Sequence, residues 1–169
     1  NISAYTQKIA HRFGDILSCC FLPGYNEPTL VLLHAPNRTW SGRLIGGSQN
    51  CHVTAISVTV THQCAAVLWS VNVSVDALSI QSTGIDGCLV VSTNSIIHVT
   101  NGGRISSALA LNGWAGVTCS ADINPNPWPL PRLAITLDGA KVSMIDKDLG
   151  FVVLRYGQVY LLQRVEKVW

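Results

Sequence analysis

The residues of this 169-residue chain that could carry chemistry are few and scattered. The five histidines all lie in the first hundred residues: His11, His34, His52, His62 and His98. Of the possible metal ligands, His52, His62 and Cys64 lie closest together along the chain. Zinc is held by about four nitrogen or sulfur ligands, and no fourth ligand stands at a suitable spacing. The pattern therefore favours core or turn histidines over a metal site.

The search for an active site gives a similar result. Asp146-Lys147-Asp148 offers a short acidic pair, but its place between two predicted strands indicates a turn. The chain has no Gly-x-Ser-x-Gly elbow, no phosphate loop and no His-Glu-x-x-His motif. A carboxylate pair assembled from distant strands is the one catalytic arrangement that the sequence leaves open. We predict no enzymatic activity, no catalytic or metal-binding residue and no cofactor.

The six cysteines permit two interpretations. Their even number is compatible with disulfides in a secreted protein, such as a β-sandwich lectin or adhesin. However, Cys19 and Cys20 lie within the apolar run Ile16–Leu22, and Cys88 lies within Gly87–Val91. Free cysteine in such settings behaves as a small buried hydrophobic residue. The sequence therefore favours reduced, buried thiols.

Charge is unusually sparse. Charged residues make up 12% of the chain, against about 25% in typical domains. Between Leu44 and Gly103 the only charged side chains are Asp76 and Asp86. A sheet with one solvated face alternates apolar with polar residues, so this stretch predicts strands that are covered on both faces. The net charge of +2 includes no Lys/Arg stripe, which argues against direct nucleic-acid binding. No apolar run is long enough to span a membrane.

The positioning elements are predicted to be strands. Short β-branched or aromatic runs alternate with turn dipeptides such as Pro23-Gly24 and Asp138-Gly139. The predicted strands are Ile16–Phe21, Thr29–His34, Trp40–Ile45, His52–Val60, Ala66–Val73, Gly87–Ser92, Ser95–Val99, Ile105–Leu111, Arg132–Thr136, Lys141–Ile145, Phe151–Leu154 and Gln158–Gln163. Only Tyr5–Phe13 could form a helical turn or two. We predict an all-β chain of antiparallel four-stranded blades, about three blades of a β-propeller, with Trp69 buried between blades.

One segment departs from this pattern. Asp122–Pro131 contains four prolines within seven residues, which disfavours strand pairing and favours extended backbone. We expect a loop between strands or blades over residues 122–131, with Asn124–Pro131 exposed at the surface. Trp128, flanked by Pro127 and Pro129, is its candidate protein contact, because tryptophan is over-represented among interface hot spots.

Several blocks of the sequence resemble a known family in the same order. Gly24–His34 (GYNEPTLVLLH) is similar to a GYxEPTLLILxE stretch, and Ala35–Arg43 is similar to PNxTWxGR. Weaker matches follow at Ala55–Val58, Val67–Ser70, Gly84–Val91, Asn94–His98, Ile135–Asp138 and Tyr156–Leu162. These blocks resemble the largest subunit of the nuclear cleavage and polyadenylation specificity factor. Two departures stand out: Gly84-Ile85-Asp86-Gly87 replaces Pro-Ile-Gly-Gly, and a usual proline is missing near Val75-Asp76.

The resemblance implies a scaffold of three seven-bladed propellers, of which residues 1–169 would be a partial domain, the later blades of the first propeller. It implies a nuclear protein that holds a WD-repeat subunit and a zinc-finger subunit, and these two read the AAUAAA signal. RNA would be contacted only through the complex, with no small-molecule substrate. Two related architectures remain as alternatives: the propeller adaptor of the damaged-DNA-binding, ubiquitin-ligase type, and the splicing factor 3b scaffold.

Overall fold

The computed structural model of the chain describes residues 13–35, 51–59, 64–110 and 136–165. These residues form eleven strands and a single 3₁₀ turn at Gly84–Asp86. The strands are β1 Asp15–Leu22, β2 Thr29–Ala35, β3 Cys51–Thr59, β4 Cys64–Val73, β5 Ala77–Ser82, β6 Gly87–Ser92, β7 Ser95–Thr100, β8 Ile105–Ala110, β9 Lys141–Asp146, β10 Leu149–Val153 and β11 Val159–Gln163. The predicted all-β class is confirmed.

The strands form three antiparallel sheets in which neighbours along the chain pair with each other. Sheet 1 has the order β1-β2-β3-β4, sheet 2 has the order β5-β6-β7-β8, and sheet 3 pairs β9, β10 and β11. The first strand of each sheet contacts the first strand of the next sheet, since β1 contacts β5 and β5 contacts β9. Antiparallel four-stranded sheets of this kind are consistent with propeller blades, as predicted.

Sheet 2 lies in the middle and is covered on both faces. Every residue of β6 is buried. Because successive side chains of a strand point to opposite faces, Cys88 and Val90 enter one hydrophobic core while Leu89 and Val91 enter another. The first core lies between sheets 1 and 2, and the second lies between sheets 2 and 3. The prediction that strands of the charge-poor stretch are covered on both faces is therefore confirmed for β6, but it is wrong for β4, the outer strand of sheet 1, most of whose residues are exposed or partly exposed.

The first core draws on all four strands of sheet 1 and on three strands of sheet 2. Its buried members are Leu22, Val31, Leu33, Cys51, Val53, Ala55, Val73, Ala77, Ile80, Cys88, Val90 and Val99. The second core is smaller and consists of Leu89, Val91, Ile96, Leu137, Val152, Leu154 and Leu162. Burying one such aliphatic side chain contributes about 1.5–3 kcal/mol, so apolar contact between sheets supplies most of the stability of the stack.

Most predicted strands in the described ranges are found within a few residues of their expected bounds. One strand was missed: β5, whose sequence ALSIQS contains a single β-branched aliphatic residue, Ile80. It forms because Ala77 and Ile80 are buried in the first core and its backbone pairs with β6. The predicted Trp40–Ile45 strand, most of Arg132–Thr136 and most of Tyr5–Phe13 lie outside the described residues.

Within the described part of the chain, no helix has the length and apolar character needed to cross a bilayer.

Candidate functional site: contacts that join the sheets

A tyrosine, a tryptophan and a turn carbonyl join sheet 1 to sheet 2. Tyr25 lies in the loop between β1 and β2, and Trp69 lies in β4. The indole Nε1–H of Trp69 donates a hydrogen bond to the Tyr25 hydroxyl oxygen at 3.0 Å. The Tyr25 hydroxyl in turn donates to the backbone carbonyl of Asn101, in the turn between β7 and β8. One side chain thus connects three segments that are far apart in sequence.

The same turn approaches the indole ring closely. Gly103 has a φ of 72°, a conformation that residues with a Cβ rarely adopt. A Cβ at this position would lie 2.8 Å from the Cγ and Cδ2 atoms of Trp69. Glycine is therefore required both by the backbone conformation and by the space that Trp69 occupies.

Trp69 itself is half-buried and packs against the first core. Its place at the boundary between two sheets agrees with the prediction. The prediction that Trp69 is fully buried was wrong, since the side chain is partly exposed. Strand β4 is the outer strand of sheet 1, so one side of it is not covered by another strand of the sheet. We refer to Tyr25, Trp69, Asn101 and Gly103 as the tyrosine junction.

An ion pair joins sheet 2 to sheet 3. Arg164, which follows β11, places Nη1 2.7 Å from Oδ2 of Asp86, in the 3₁₀ turn that precedes β6. The same Nη1 lies 3.6 Å from Oδ1 of Asp148, and the Arg164 backbone N–H donates to the Asp148 carbonyl at 2.9 Å. The Arg164 side chain is only 14% exposed. Asp86, where the chain departs from the family pattern, is thus half of a contact between sheets.

His98 lies in β7, in the electrostatic field of this ion pair, and is 1% exposed. Its Nδ1 is 2.6 Å from the Ser106 hydroxyl oxygen. Burial lowers the pKa of His98, and the positive charge of Arg164 lowers it further, while Asp86 acts in the opposite direction. The imidazole is therefore held in its neutral form at pH 7, which agrees with the interpretation of the histidines as core residues.

Asp76 organises the turns at one end of sheet 2. It follows β4, accepts a hydrogen bond from the Ser74 hydroxyl, and accepts two from Thr93, through its backbone N–H at 3.2 Å and its hydroxyl. Thr93 also accepts a bond from the Leu137 N–H at 2.7 Å. Partial burial raises the pKa of Asp76, but the hydrogen bonds to the carboxylate outweigh it and leave the pKa below its usual value.

The possible metal ligands are not brought together. His52 pairs with Asn72 and Cys64 pairs with Thr59, so the two candidates lie at opposite ends of the β3–β4 ladder. Thr59 is seven positions after His52 in β3, a distance of roughly 23 Å at about 3.3 Å per residue. The third candidate, His62, lies outside the described residues, and within those residues no group of three or more His, Cys, Asp or Glu side chains could hold a metal ion.

His52 instead stacks on His34, with ring centroids 5.3 Å apart. His34 is buried, and its Nε2 lies 2.9 Å from the Thr54 hydroxyl, which is itself 2.8 Å from the Ser70 hydroxyl. These polar side chains run diagonally across three strands on the face of sheet 1 that is turned away from the first core. The acidic run Asp146-Lys147-Asp148 spans the end of β9 and the turn into β10, as predicted.

The five cysteines in the described ranges are free thiols. Cys51 and Cys88 are buried and Cys20 is partly buried, whereas Cys19 and Cys64 are exposed. The prediction of buried thiols was therefore wrong for Cys19 and Cys64. Cys19 is exposed because alternate residues of β1 point to opposite faces of the sheet, and Cys64 begins β4, the outer strand of sheet 1. Burial raises the pKa of the Cys20 thiol to about 11, and it also raises the pKa values of Cys51 and Cys88.

The predicted protein contact lies outside the described residues. In the sequence, Pro127, Trp128 and Pro129 lie between Ala110, where β8 ends, and Lys141, where β9 begins. The surface exposure of this segment stays a prediction.

Sequence reasoning missed both junctions between sheets. A signal was present for each: Tyr25 lies in the most distinctive block of the resemblance, and Asp86 is one of two charges in a sixty-residue stretch. Both of those isolated charges, Asp76 and Asp86, accept hydrogen bonds that join separate segments. A lone charge in a charge-poor region therefore indicated a specific partner.

The geometry defines an all-β protein of stacked, blade-like antiparallel sheets whose connecting turns are joined by polar contacts. No protein-family profile matches the chain. Several curated proteins are similar to it. The chain is 32% identical to cleavage and polyadenylation specificity factor subunit 1 of Drosophila melanogaster, over 92% of this chain and 11% of that protein.

Two further relatives agree. Subunit 1 of the same factor from Arabidopsis thaliana is 32% identical over 84% of this chain and 10% of that protein. Protein CFT1 of Debaryomyces hansenii is 30% identical over 89% of this chain and 11% of that protein. The resemblance seen in the sequence is thereby confirmed: the chain is a relative of the subunit 1 family of the cleavage and polyadenylation specificity factor. It spans about a tenth of the length of the curated relatives that it matches.

Proposed function

We propose that this chain is a non-catalytic scaffold segment of the nuclear machinery that cleaves and polyadenylates pre-mRNA. The observation that carries the proposal is the 32% identity, over 92% of the chain, to a protein named as a subunit of that machinery. The stacked sheets support a structural role, because polar contacts among the described residues join turns of neighbouring sheets.

In this proposal sheets 1, 2 and 3 are consecutive blades in the later part of the first of three propellers. The scaffold holds a WD-repeat subunit and a zinc-finger subunit, and those subunits read the AAUAAA signal. Trp128, with Pro127 and Pro129 on either side, is proposed as a contact with a protein subunit, since a tryptophan between prolines offers a large apolar surface on a stiff backbone.

RNA is contacted only indirectly in this arrangement. Phosphate binding needs several Lys or Arg side chains that converge on one groove, and base stacking needs exposed aromatic residues beside them. The eleven basic residues are spread thinly and none lies between Leu44 and Gly103. The charge distribution therefore supports a structural role over a signal-reading role.

The test compares RNA binding by the chain with RNA binding by the assembled complex. In fluorescence anisotropy at physiological salt, we expect the chain to bind an AAUAAA oligonucleotide no better than a scrambled one, while the complex purified through the full-length protein discriminates between them. Sub-micromolar, sequence-dependent binding by the chain would overturn the scaffold role. If the full-length protein fails to co-purify with cleavage and polyadenylation subunits, the assignment to this machinery is wrong.

A further inference from the structure

The interface between sheets 2 and 3 has an apolar end and a polar end. The apolar end is the second core, which includes Ile96 of β7 and Leu162 of β11. His98 is two positions beyond Ile96, so it lies on the same face of β7, the face turned toward sheet 3. Ser107 is directly opposite His98 in β8 and shares that face. From the other side, Arg164 follows β11 two positions beyond Leu162 and reaches sheet 2 through its ion pair.

The turn before β6 completes the polar end. Thr83 immediately precedes the Gly84–Asp86 turn, and its backbone N–H donates to the Gly87 carbonyl at 2.9 Å. Thr83 is 2% exposed, and its side chain does not cap the turn that follows it. The polar end of the interface, as we name this cluster, consists of Thr83, Asp86, His98, Ser107 and Arg164.

Three buried polar atoms of this cluster have no hydrogen-bond partner within the part of the chain that the structure describes. They are the hydroxyl oxygens of Thr83 and Ser107 and Nε of Arg164. The ion pair with Asp86 uses Nη1 of Arg164 and leaves the Nε–H unused. In folded proteins nearly all buried polar groups bond to protein or to ordered water, because leaving one unpaired is costly. Three such atoms in one small region therefore indicate a bound molecule.

The three atoms specify the chemistry of that molecule. The Nε–H of Arg164 can only donate, so the molecule must offer an acceptor, whereas each hydroxyl can donate or accept. A metal cation cannot accept a hydrogen bond from this N–H. An anion would meet two like charges, since carboxylate oxygens of Asp86 and Asp148 lie 2.7 Å and 3.6 Å from Nη1 of Arg164. A small neutral molecule that both accepts and donates fits all three atoms, and water is that molecule.

We infer that the polar end of the interface is a site for ordered water, which accepts a hydrogen bond from Nε–H of Arg164 and bonds to the hydroxyls of Thr83 and Ser107. Internal waters make about three hydrogen bonds to buried polar groups, which matches this set of atoms. Ser107 belongs to sheet 2 and Arg164 follows sheet 3, so the water extends the contact between the two sheets beyond the second core. The stack itself requires this water, whichever step of RNA processing the protein serves.

The first test is an experimental structure of the full-length protein at a resolution that shows ordered water. We expect a density peak within about 2.7–3.2 Å of Nε of Arg164 and of at least one of the two hydroxyl oxygens. A peak at about 2.0–2.6 Å from oxygen atoms alone would indicate a metal ion and contradict the inference. The absence of any peak, or a protein group that accepts from Nε–H instead, would contradict it as well.

Hydrogen exchange of the full-length protein measures whether the water holds sheet 3 to sheet 2. Ser107→Ala removes a hydroxyl from the polar end, and the control Ser95→Ala removes a half-buried hydroxyl at the start of β7, outside the cluster. If water bonds to Ser107, its loss should speed exchange of the β9–β11 amides by about fivefold, the effect of one lost hydrogen bond on local opening. The control should change these rates by less than about twofold.

The opposite result has a clear meaning. Removing a hydroxyl that has no partner relieves an unfavourable burial, so exchange would stay the same or become slower. Thr83→Val, which keeps the shape of the side chain, repeats the test on the other side of the cluster and should also speed exchange. Unchanged or slower exchange in both Ser107→Ala and Thr83→Val would overturn the inference. Neither measurement involves RNA or other subunits, so the proposed function can fail separately.

Discussion

Replacing Trp69 with alanine tests whether the tyrosine junction stabilises the stack. A fully buried tryptophan changed to alanine costs about 3–5 kcal/mol. Trp69 is half-buried, so its packing against the first core should contribute about 2 kcal/mol. Loss of the Nε1–H bond to Tyr25 adds about 1 kcal/mol. We therefore expect Trp69→Ala to lower the free energy of unfolding by about 2–3 kcal/mol.

The assay is equilibrium urea unfolding, followed both by tryptophan fluorescence and by far-UV circular dichroism to check that the transitions coincide. Tyr156→Ala is the matched control, since an 82%-exposed side chain should change the unfolding free energy by no more than about 0.5 kcal/mol. A loss below about 1 kcal/mol for Trp69→Ala would refute the view that the indole joins the two sheets.

A second substitution makes the argument specific to the contact. Gly103→Ala should destabilise the protein, both because the backbone has a positive φ and because the new Cβ meets the indole at 2.8 Å. When Trp69 is already alanine, the steric part of this cost disappears and only the backbone part remains. The two changes should therefore couple by about 1 kcal/mol or more in a double-mutant cycle. Strict additivity would show that the ring and the turn do not contact each other.

Three further outcomes follow from the described contacts. Arg164→Met should lower the free energy of unfolding by about 1–2 kcal/mol, and by less in high salt, because Asp86 loses its charged partner. The control Lys147→Met removes an exposed ion pair and should have no measurable effect. Equal losses in the two variants would contradict a stabilising contact between Asp86 and Arg164. Because the pKa of Asp76 is lowered from 3.8 in the folded state, the ionised carboxylate stabilises the fold above that pH, and this stabilisation is lost as pH falls through the folded-state pKa. The free energy of unfolding should therefore fall less steeply below pH 4 in Asp76→Asn than in the original protein. An unchanged slope would refute this. Iodoacetamide at pH 8 should label Cys19 and Cys64 well before the buried thiols, and all six cysteines should react in denaturant; a missing thiol would revive the disulfide alternative.

The hairpins could be predicted from the sequence because their determinants are local. Gly87–Ser92 and Ser95–Thr100 are separated by two residues, Thr93-Asn94, and the structure pairs them as β6 and β7. The covered faces of β6 were also predicted from its lack of charge, but the same reasoning fails for β4, which has no charged residue and is largely exposed at the outer position of sheet 1. Strand β5 was not predictable in this way, because its pairing with β6 and its burial in the first core are tertiary effects that outweigh a weak local preference.

The polar contacts between sheets could not be predicted from the sequence, for a different reason. Tyr25 and Asn101 are 76 residues apart, and Asp86 and Arg164 are 78 apart. No periodicity connects positions at that separation, and their pairing depends on how each sheet twists and on where each turn ends. The composition marks Asp86 as unusual, but it does not identify Arg164 as its partner among eleven basic residues.

The division between apolar strands and polar turns gives each its own role in the stack. Contact between aliphatic faces is strong but not directional, so it specifies the relative orientation of two sheets less sharply than a hydrogen bond does. Hydrogen bonds and ion pairs have defined geometry, and here they join turns: Tyr25 to the β7–β8 turn, Asp86 to the residue that follows β11. We infer that these two contacts fix how neighbouring sheets are oriented. Asp86 takes part in the second of these contacts because its charged side chain reaches Arg164, which a glycine at this position could not do.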